Sequence, residues 1–430
     1  MHSMTEWRAF RLAFADPIKE RALPGFFVLC LTAATLFPHE LALSAGISGR
    51  LTSSVYGFEQ SDQSHWRPYL GMNATASLWR QGAHSATLHS NLRWTSDFST
   101  KSSHDPQTYV YDLNVELAGF FSGSRVYAGR QFVYSSIGSA LIDGIRFKQK
   151  LPASFNLDLY GGAATAHQTP EKIQALNDYA LAGGRLGYQA SSATKLGLNW
   201  LWRRSNGSTA QHRVGLDGQW LTRRTELYGR AIYDLSAVVI SGALARLTVR
   251  PDQWNISTEL DWRKPSIDAN SIFSVISSEM YKGVRLDISR KLPAGLAAVG
   301  QIHWELLPGD DSWRTMIGVQ SAAMMLGWTH RDGYGGKSDG LRGQVTLKIG
   351  SRVEAYASVY LSQYMIQPEP SDRMDAYSSS FGTVWKPGRD MRVRAEGQFL
   401  RNAVNDKDWR IFLQIAKEFS LGSQSSEGDR

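Results

Sequence analysis

The residues able to do chemistry in this chain stand singly, at alternate positions, between large apolar ones. Glu259, Asp261 and Arg263 are separated by Leu260 and Trp262, and Arg392, Arg394 and Glu396 repeat the spacing in the stretch 390–401. A strand turns successive side chains to opposite faces, so each set shares one face while the other face is mostly apolar. Carboxylates and guanidiniums spaced in this way form cross-strand pairs on a wet surface. A catalytic constellation is not in view. Beyond residue 45 the histidines are His65, His84, His89, His104, His167, His212, His303 and His330, and they make no recognisable set with Ser or Asp partners. His303, mid-strand, is expected to be a hydrogen-bonded structural residue. The one cysteine, Cys30, lies in an N-terminal apolar stretch, so the chain beyond it has no disulfide, thiolate metal site, cysteine nucleophile or haem attachment. No enzyme activity, metal or cofactor is expected.

The elements that position these charges are strands. "TKLGLNWLWRR" sets Leu196, Leu198, Trp200 and Trp202 against Lys195, Asn199 and Arg203, and "DGLRGQVTLKIG" sets Leu341, Val345, Leu347 and Ile349 against Arg342, Gln344, Thr346 and Lys348. Segments of this kind number about 22, with 16 to 22 as the range, and the connections between them alternate long and short. "FSTKSSHDPQ" is followed by "FFSGS", "TAHQTPEKIQALND" by "ASSAT" and "SQYMIQPEPSD" by "KPGRD", with "LSA" a short link where a long one is due. The short-turn phrases "QKLPAS" and "RKLPAG" form a weak internal repeat, and Pro belongs in such turns because it fixes φ and lacks a donor. Fourteen Trp, 17 Tyr and 17 Phe accompany 39 Gly, yet mean hydropathy is −0.30, as alternation requires. The predicted fold class is all-β: a transmembrane antiparallel up-and-down barrel without a plug domain, its short turns periplasmic and its longer loops extracellular. A soluble sandwich or propeller would alternate too, but Trp and Tyr at the ends of the apolar faces favour a membrane girdle.

Residues 1–45 read as a secretory signal peptide: Arg8, Arg11, Lys19 and Arg21 precede "ALPGFFVLCLTAATLF", and "ALSA" offers cleavage near Ala45. The apolar core is shorter than the roughly 20 residues a spanning helix needs. The expected domains are therefore the signal peptide, a barrel over 46–419 and a polar tail over 420–430, located in the outer membrane of a Gram-negative cell. Formal charge is +8, but the basic residues are scattered among acids rather than gathered in a stripe, so nucleic acid is not an expected partner.

With the apolar faces on lipid, the lumen receives Arg203, Arg230, Glu259, Arg263, Arg285, Arg314, Arg342, Arg392 and Arg394 among others. An Arg or Lys facing lipid at mid-depth costs about 2–4 kcal/mol, so this wall is wet. A small excess of Arg implies a mild anion preference, unless the pairs serve only to stiffen the wall. Two long loops carry apolar or helix-like patterns, "TAHQTPEKIQALND" and "SIDANSIFSVISSEM". The second needs cover: it folds into the lumen as a constriction, packs on a partner, or is a further hairpin.

"YAGRQFVYSSIGSALIDGIRFKQKLP" is the most distinctive stretch. Its Gly129, Arg130 and Gln131, followed by a Gly-containing loop and by Asp143 and Gly144, resemble the GRQ-strand, loop, DG-strand pattern of porin-like outer-membrane proteins of the alginate-export type. The resemblance implies a barrel that carries an anionic or hydrophilic solute past lumen-facing Arg and Lys, with Arg130 and Asp143 at the corresponding positions. The match spans about 25 residues, so it does not carry over a substrate. On the residues alone, Arg130 and Asp143 on adjacent strands form either a lumenal pair or a plain structural one.

Two functions fit. One is a porin-like channel for diffusion or export of small hydrophilic solutes, anionic ones included; the other is a scaffold barrel sheathing a partner such as a multihaem cytochrome, since a barrel this wide is normally filled. The last strand, with Trp409, Ile411, Leu413, Ile415 and Phe419 on one face, resembles the signal read by the barrel-assembly machinery. The expected partners are thus outer-membrane lipid, that machinery, and a periplasmic or extracellular protein, for which the tail after Phe419 would be a handle.

Overall fold

The alternation becomes strand throughout the computed structural model, which describes residues 46–60, 63–99, 106–165, 172–264, 280–307, 309–365, 373–403 and 407–422. In chain order the strands are β1 (Ile47–Gln60), β2 (Gln63–Gln81), β3 (His84–Thr95), β4 (Gln107–Ala118), β5 (Ser124–Ser135), β6 (Gly138–Lys150), β7 (Phe155–Ala164) and β8 (Ala180–Gln189). Then come β9 (Thr194–Ser205), β10 (Ser208–Leu221), β11 (Thr225–Asp234), β12 (Val239–Val249), β13 (Trp254–Arg263), β14 (Tyr281–Lys291) and β15 (Ala297–Leu307). The last are β16 (Asp310–Gln320), β17 (Met324–Gly333), β18 (Lys337–Ile349), β19 (Val353–Met365), β20 (Met374–Trp385), β21 (Met391–Arg401) and β22 (Asp408–Leu421). A single helical turn, α1 (Leu176–Tyr179), precedes β8. No helix among the described residues is long and apolar enough to cross a membrane.

Every strand pairs antiparallel with its successor, and β22 pairs with β1 from Ile47↔Leu421 to Phe58↔Arg410, so the 22-stranded sheet closes and has no edge. At the seam Arg50 of β1 meets Glu418 of β22 at 2.5 Å. Phe419 faces Gly49 in the same register, and β22 runs on to Leu421, two residues past the predicted end.

The outer face inverts the rule for soluble proteins. Leu326 is 64 % exposed and Phe381 62 %, and Leu198, Leu216, Leu260, Ile317 and Leu341 are similarly bare on neighbouring strands. A continuous apolar belt on a closed sheet is accommodated only by hydrocarbon. Trp220, Trp254, Trp385 and Trp409, all exposed, lie within two residues of strand ends, where rings meet the headgroups. The fold is a transmembrane β-barrel of the outer membrane.

One expectation about the loops changes. β2 has 19 residues, far more than the 9–11 that cross a bilayer, and β9 and β10 meet in a two-residue turn at Asn206 and Gly207. At the β1–β2 and β9–β10 connections, sequence predicted as loop is strand running on past the membrane, because hairpins there keep satisfying their own backbone groups. Most of "TAHQTPEKIQALND" before residue 172 and nearly all of the apolar loop 265–279 lie outside the described residues.

Candidate functional site

The lumenal row is fixed by register. Arg263 pairs with Tyr281, Glu259 with Arg285, and Arg285 with His303, which in turn faces Arg314. Continuing the same alternation puts Arg203, Arg230, Arg342, Arg392 and Arg394 on the inner face as well. From β5 to β15 the charges are largely matched: Arg146 meets Asp158 at 2.6 Å, Arg185 meets Asp217 at 2.5 Å, Arg213 meets Asp234 at 3.3 Å, and Arg285 meets Asp287 at 2.9 Å. Arg246 is bonded to Glu259, Arg263 to Asp261 and, further round, Arg394 to Glu396. The wall formed by β16–β20 differs. Its inner-face charges are Asp310, Arg314, Arg331, Arg342, Lys348 and Glu354; Lys348 and Glu354 are register partners, while Arg314 stands directly across from Arg331. Like charges in register repel, so this wall holds a positive field that the other does not.

The only cluster of buried apolar side chains in the described residues is inside the barrel. Val133, Ile137 and Ile142 of the β5–β6 hairpin pack with Tyr160 and Ala164 of β7, Leu181 of β8 and Leu201 of β9, and Ile142 is 0 % exposed. The backbone explains how the hairpin gets there. β5 pairs with β4 only from Arg125 to Arg130, and β6 with β7 only from Ile142 onward. Between those points residues 132–141 are in register only with one another, Leu141 O also accepting from Thr165 N at 2.9 Å, and the tip at Ser136 and Ile137 touches strands that are four and five places away round the wall.

At the tip, Asp217 of β10 is the latch. It accepts hydrogen bonds from Ser136 Oγ (3.4 Å), Asn199 Nδ2 (2.7 Å) and Arg185 Nη2 (2.5 Å), while Arg230 of β11 donates to the Ser136 carbonyl at 3.5 Å. Gly215 of β10 is required by this contact, since a Cβ there would collide with the Ile137 side chain. The hairpin's opposite face is bare, Phe132 and Tyr134 being 56 % and 69 % exposed. Among the described residues, a structured hairpin therefore occupies part of the lumen against β7–β11.

Arg130 and Asp143 stand apart from the other predicted lumenal residues. They are register partners, but they alternate with Gly129/Gly144 and Tyr127/Arg146, so they do not belong to the lumenal row. Their place is at the root of the hairpin, where it leaves the wall. Arg130 Nε and Nη2 donate to the two Asp143 oxygens at 2.6 and 2.7 Å, and Nη2 also reaches the Lys172 carbonyl at 3.1 Å. The pair is buried, at 6 % and 13 % side-chain exposure. Just before it, Gly129 has φ +125°, and a Cβ there would strike the Leu113 carbonyl and come within 3.0 Å of Asn114 Cα, so the bend admits only glycine.

Sequence reasoning missed the hairpin. Its signal was an apolar residue where alternation calls for a polar one: Leu201 shares a face with Asn199 and Arg203, and Leu181 shares one with Arg185. The predicted site residues on the other strands are spread round the barrel and converge on no single centre.

A second network fixes the connection between β3 and β4. Asp97, between β3 and β4, accepts from Arg67 Nε at 2.9 Å and lies 3.2 Å from His65 Nδ1. Burial raises its pKa, but the Ser99 backbone N–H, Arg67 and His65 outweigh that and hold it at about 2 against an ordinary 3.8. A carboxylate held low stabilises its loop above the ordinary value, and that contribution is lost as pH falls from 3.8 through about 2. Limited pepsin cleavage of the β3–β4 loop is expected to accelerate across that window in the wild type, whereas Asp97→Asn is cleaved readily throughout it.

No family model matches the chain, and no curated protein is similar to it. Among solved structures it is similar to the translocation pore of the usher PapC, with 8 % identity over 87 % of this chain and 99 % of that one and a TM-score of 0.46. It is also similar to OpdQ of Pseudomonas aeruginosa (10 % identity, 88 % and 99 % covered, TM-score 0.44) and to a BenF-like porin from Pseudomonas fluorescens Pf-5 (10 %, 88 % and 99 %, 0.43). These likenesses concern barrel architecture alone. Its own closed sheet, apolar belt and charged interior make the chain a 22-stranded outer-membrane β-barrel.

Proposed function

We propose that the protein is a channel for small hydrophilic solutes, with anions favoured, in which the β5–β6 hairpin narrows the lumen. The observation that carries this reading is the hairpin itself. It is docked by an apolar cluster and an Asp217 latch onto one wall, while the remaining passage runs past a wall whose arginines have few carboxylates to neutralise them. In the stretch that resembles alginate-export-type barrels, Arg130 and Asp143 are the corresponding site positions, and their place at the hairpin root supports a role in shaping the passage more than in touching solute. A barrel that sheathes a partner would have to accommodate the hairpin in the same space.

Planar-bilayer recording of the purified protein tests the proposal. Stable open conductance is expected, with a reversal potential in a salt gradient that favours anions. Replacing Arg314 and Arg342 together by Ala removes two of the four cations on that wall and should lower the anion-to-cation permeability ratio by about twofold. A silent barrel that co-purifies with a haem protein would sink the channel reading in favour of the sheath, and an unchanged ratio would remove the part assigned to this wall.

A further inference from the structure

Two lumenal features away from the hairpin coincide on β22 and β1–β4. The first is a line of aromatic rings. Register sets Phe58 level with His65, then Tyr56 with Arg67 and Phe412, then Tyr69 with Ser54, and then Tyr109 with Arg93. Phe58 stacks on His65 at 4.9 Å and on Tyr56 at 5.2 Å, and Tyr109 stacks on Tyr111 at 5.8 Å. That last stack depends on a bulge. The β3–β4 register shifts between Asn91 and Leu92, leaving Tyr111 unpaired between Val110 and Asp112, and the extra residue brings Tyr111 to the inner face beside Tyr109. The rings span three row steps, about 20 Å along the strands.

The second feature is a recess of about 520 Å³ between Tyr56, Tyr69, Tyr111 and Phe412. Asn73, Asn91 and Gln414 edge it, and their side chains make no hydrogen bond among the described residues. Its two cations are already engaged, Arg50 by Glu418 at 2.5 Å and Arg93 over the Tyr69 ring at 4.2 Å.

Each recess ring has one face engaged, Tyr69 by Arg93, Tyr56 by Phe58, Tyr111 by Tyr109 and Phe412 by Arg394, and the remaining ring faces beside free planar amides match one class of solute well. The C–H face of a pyranose lies against an aromatic ring, while each amide offers a donor and an acceptor to neighbouring hydroxyls. A simple anion would need the cations that are engaged, and a flat apolar solute would leave the amides without partners. We propose that this wall is a saccharide-binding track, with the recess as its main station. The inference rests on the channel reading and names what such a channel holds.

The test adds maltotriose or cellotriose to one side of a bilayer containing the open protein. A saturable, concentration-dependent fall in conductance is expected. Tyr69→Ala and Tyr111→Ala should each raise the half-blocking concentration roughly fivefold, and Tyr69→Phe much less. Open conductance of the variants without sugar shows that they have folded. Calorimetric titration of the detergent-solubilised protein with maltotriose reads the same station without needing conductance. A barrel that never conducts would overturn the channel reading. A conducting barrel that neither trisaccharide blocks or binds, that both tyrosine variants leave equally blocked, or that benzoate blocks and trisaccharides do not, would overturn the track alone.

Discussion

Removing the lumenal hairpin widens the passage without opening the wall. Phe132 and Leu141 are register partners, so replacing residues 133–140 by Asn-Gly closes the hairpin with a two-residue turn its strands can accept. The wall pairings of β5 with β4 from Arg125 to Arg130, and of β6 with β7 from Ile142 to Lys150, lie wholly outside the deletion. The truncated protein is therefore expected to insert and to migrate as a heat-modifiable barrel in electrophoresis. Val133 and Ile137 leave the lumen, and Leu181 and Leu201, which they cover, become wet. Single-channel conductance should rise about twofold or more, since the occupied sector of the cross-section becomes electrolyte. Conductance unchanged from the wild type would mean that the hairpin lies outside the narrowest part of the path.

The contrast between wall and hairpin shows what a sequence of this kind discloses. Closure, strand number and the outward face follow from local alternation, which is repeated in segment after segment, so an error in one strand does not disturb the rest. Leu196, Leu198 and Trp200 declare their face within a single strand. The hairpin is a tertiary choice. "VYSSIGSAL" has the composition of any Gly/Ser turn, and whether it projects into solvent or folds inward depends on Leu181, Leu201 and Gly215, which are 40 or more residues away in the chain. The same distance hides the role of Arg130 and Asp143. Their pairing is legible from neighbouring strands, but the bend at Gly129 that takes them out of the lumenal row is a backbone property visible only in the fold. The aromatic track was obscured in a third way, because a single bulged residue, Tyr111, breaks the parity on which any assignment of faces relies.

The root of the hairpin should respond to charge in an asymmetric manner. Asp143→Ala leaves the Arg130 guanidinium, 6 % exposed, without its bidentate partner. Stranding one member of a buried pair costs about 3–5 kcal/mol, much more than the pair contributes over an apolar substitute, because the desolvation of the remaining charge is no longer offset. Replacing both members, Arg130→Met with Asp143→Leu, should restore most of that loss. The cost falls where the hairpin departs from the wall, so the barrel persists while the hairpin loosens. With Ser136→Cys as a reporter at the tip, the thiol of the Asp143→Ala variant is expected to react with a membrane-impermeant maleimide at least tenfold faster than that of the wild-type background, each 1.4 kcal/mol of undocking being a factor of ten. The double replacement should react at close to the wild-type rate, and its conductance should be as steady, whereas Asp143→Ala should flicker between the wild-type level and the level of the truncated protein. Equal labelling in all three backgrounds would show that the ion pair does not hold the hairpin, and the docking would then rest on Val133, Ile137 and Asp217 alone.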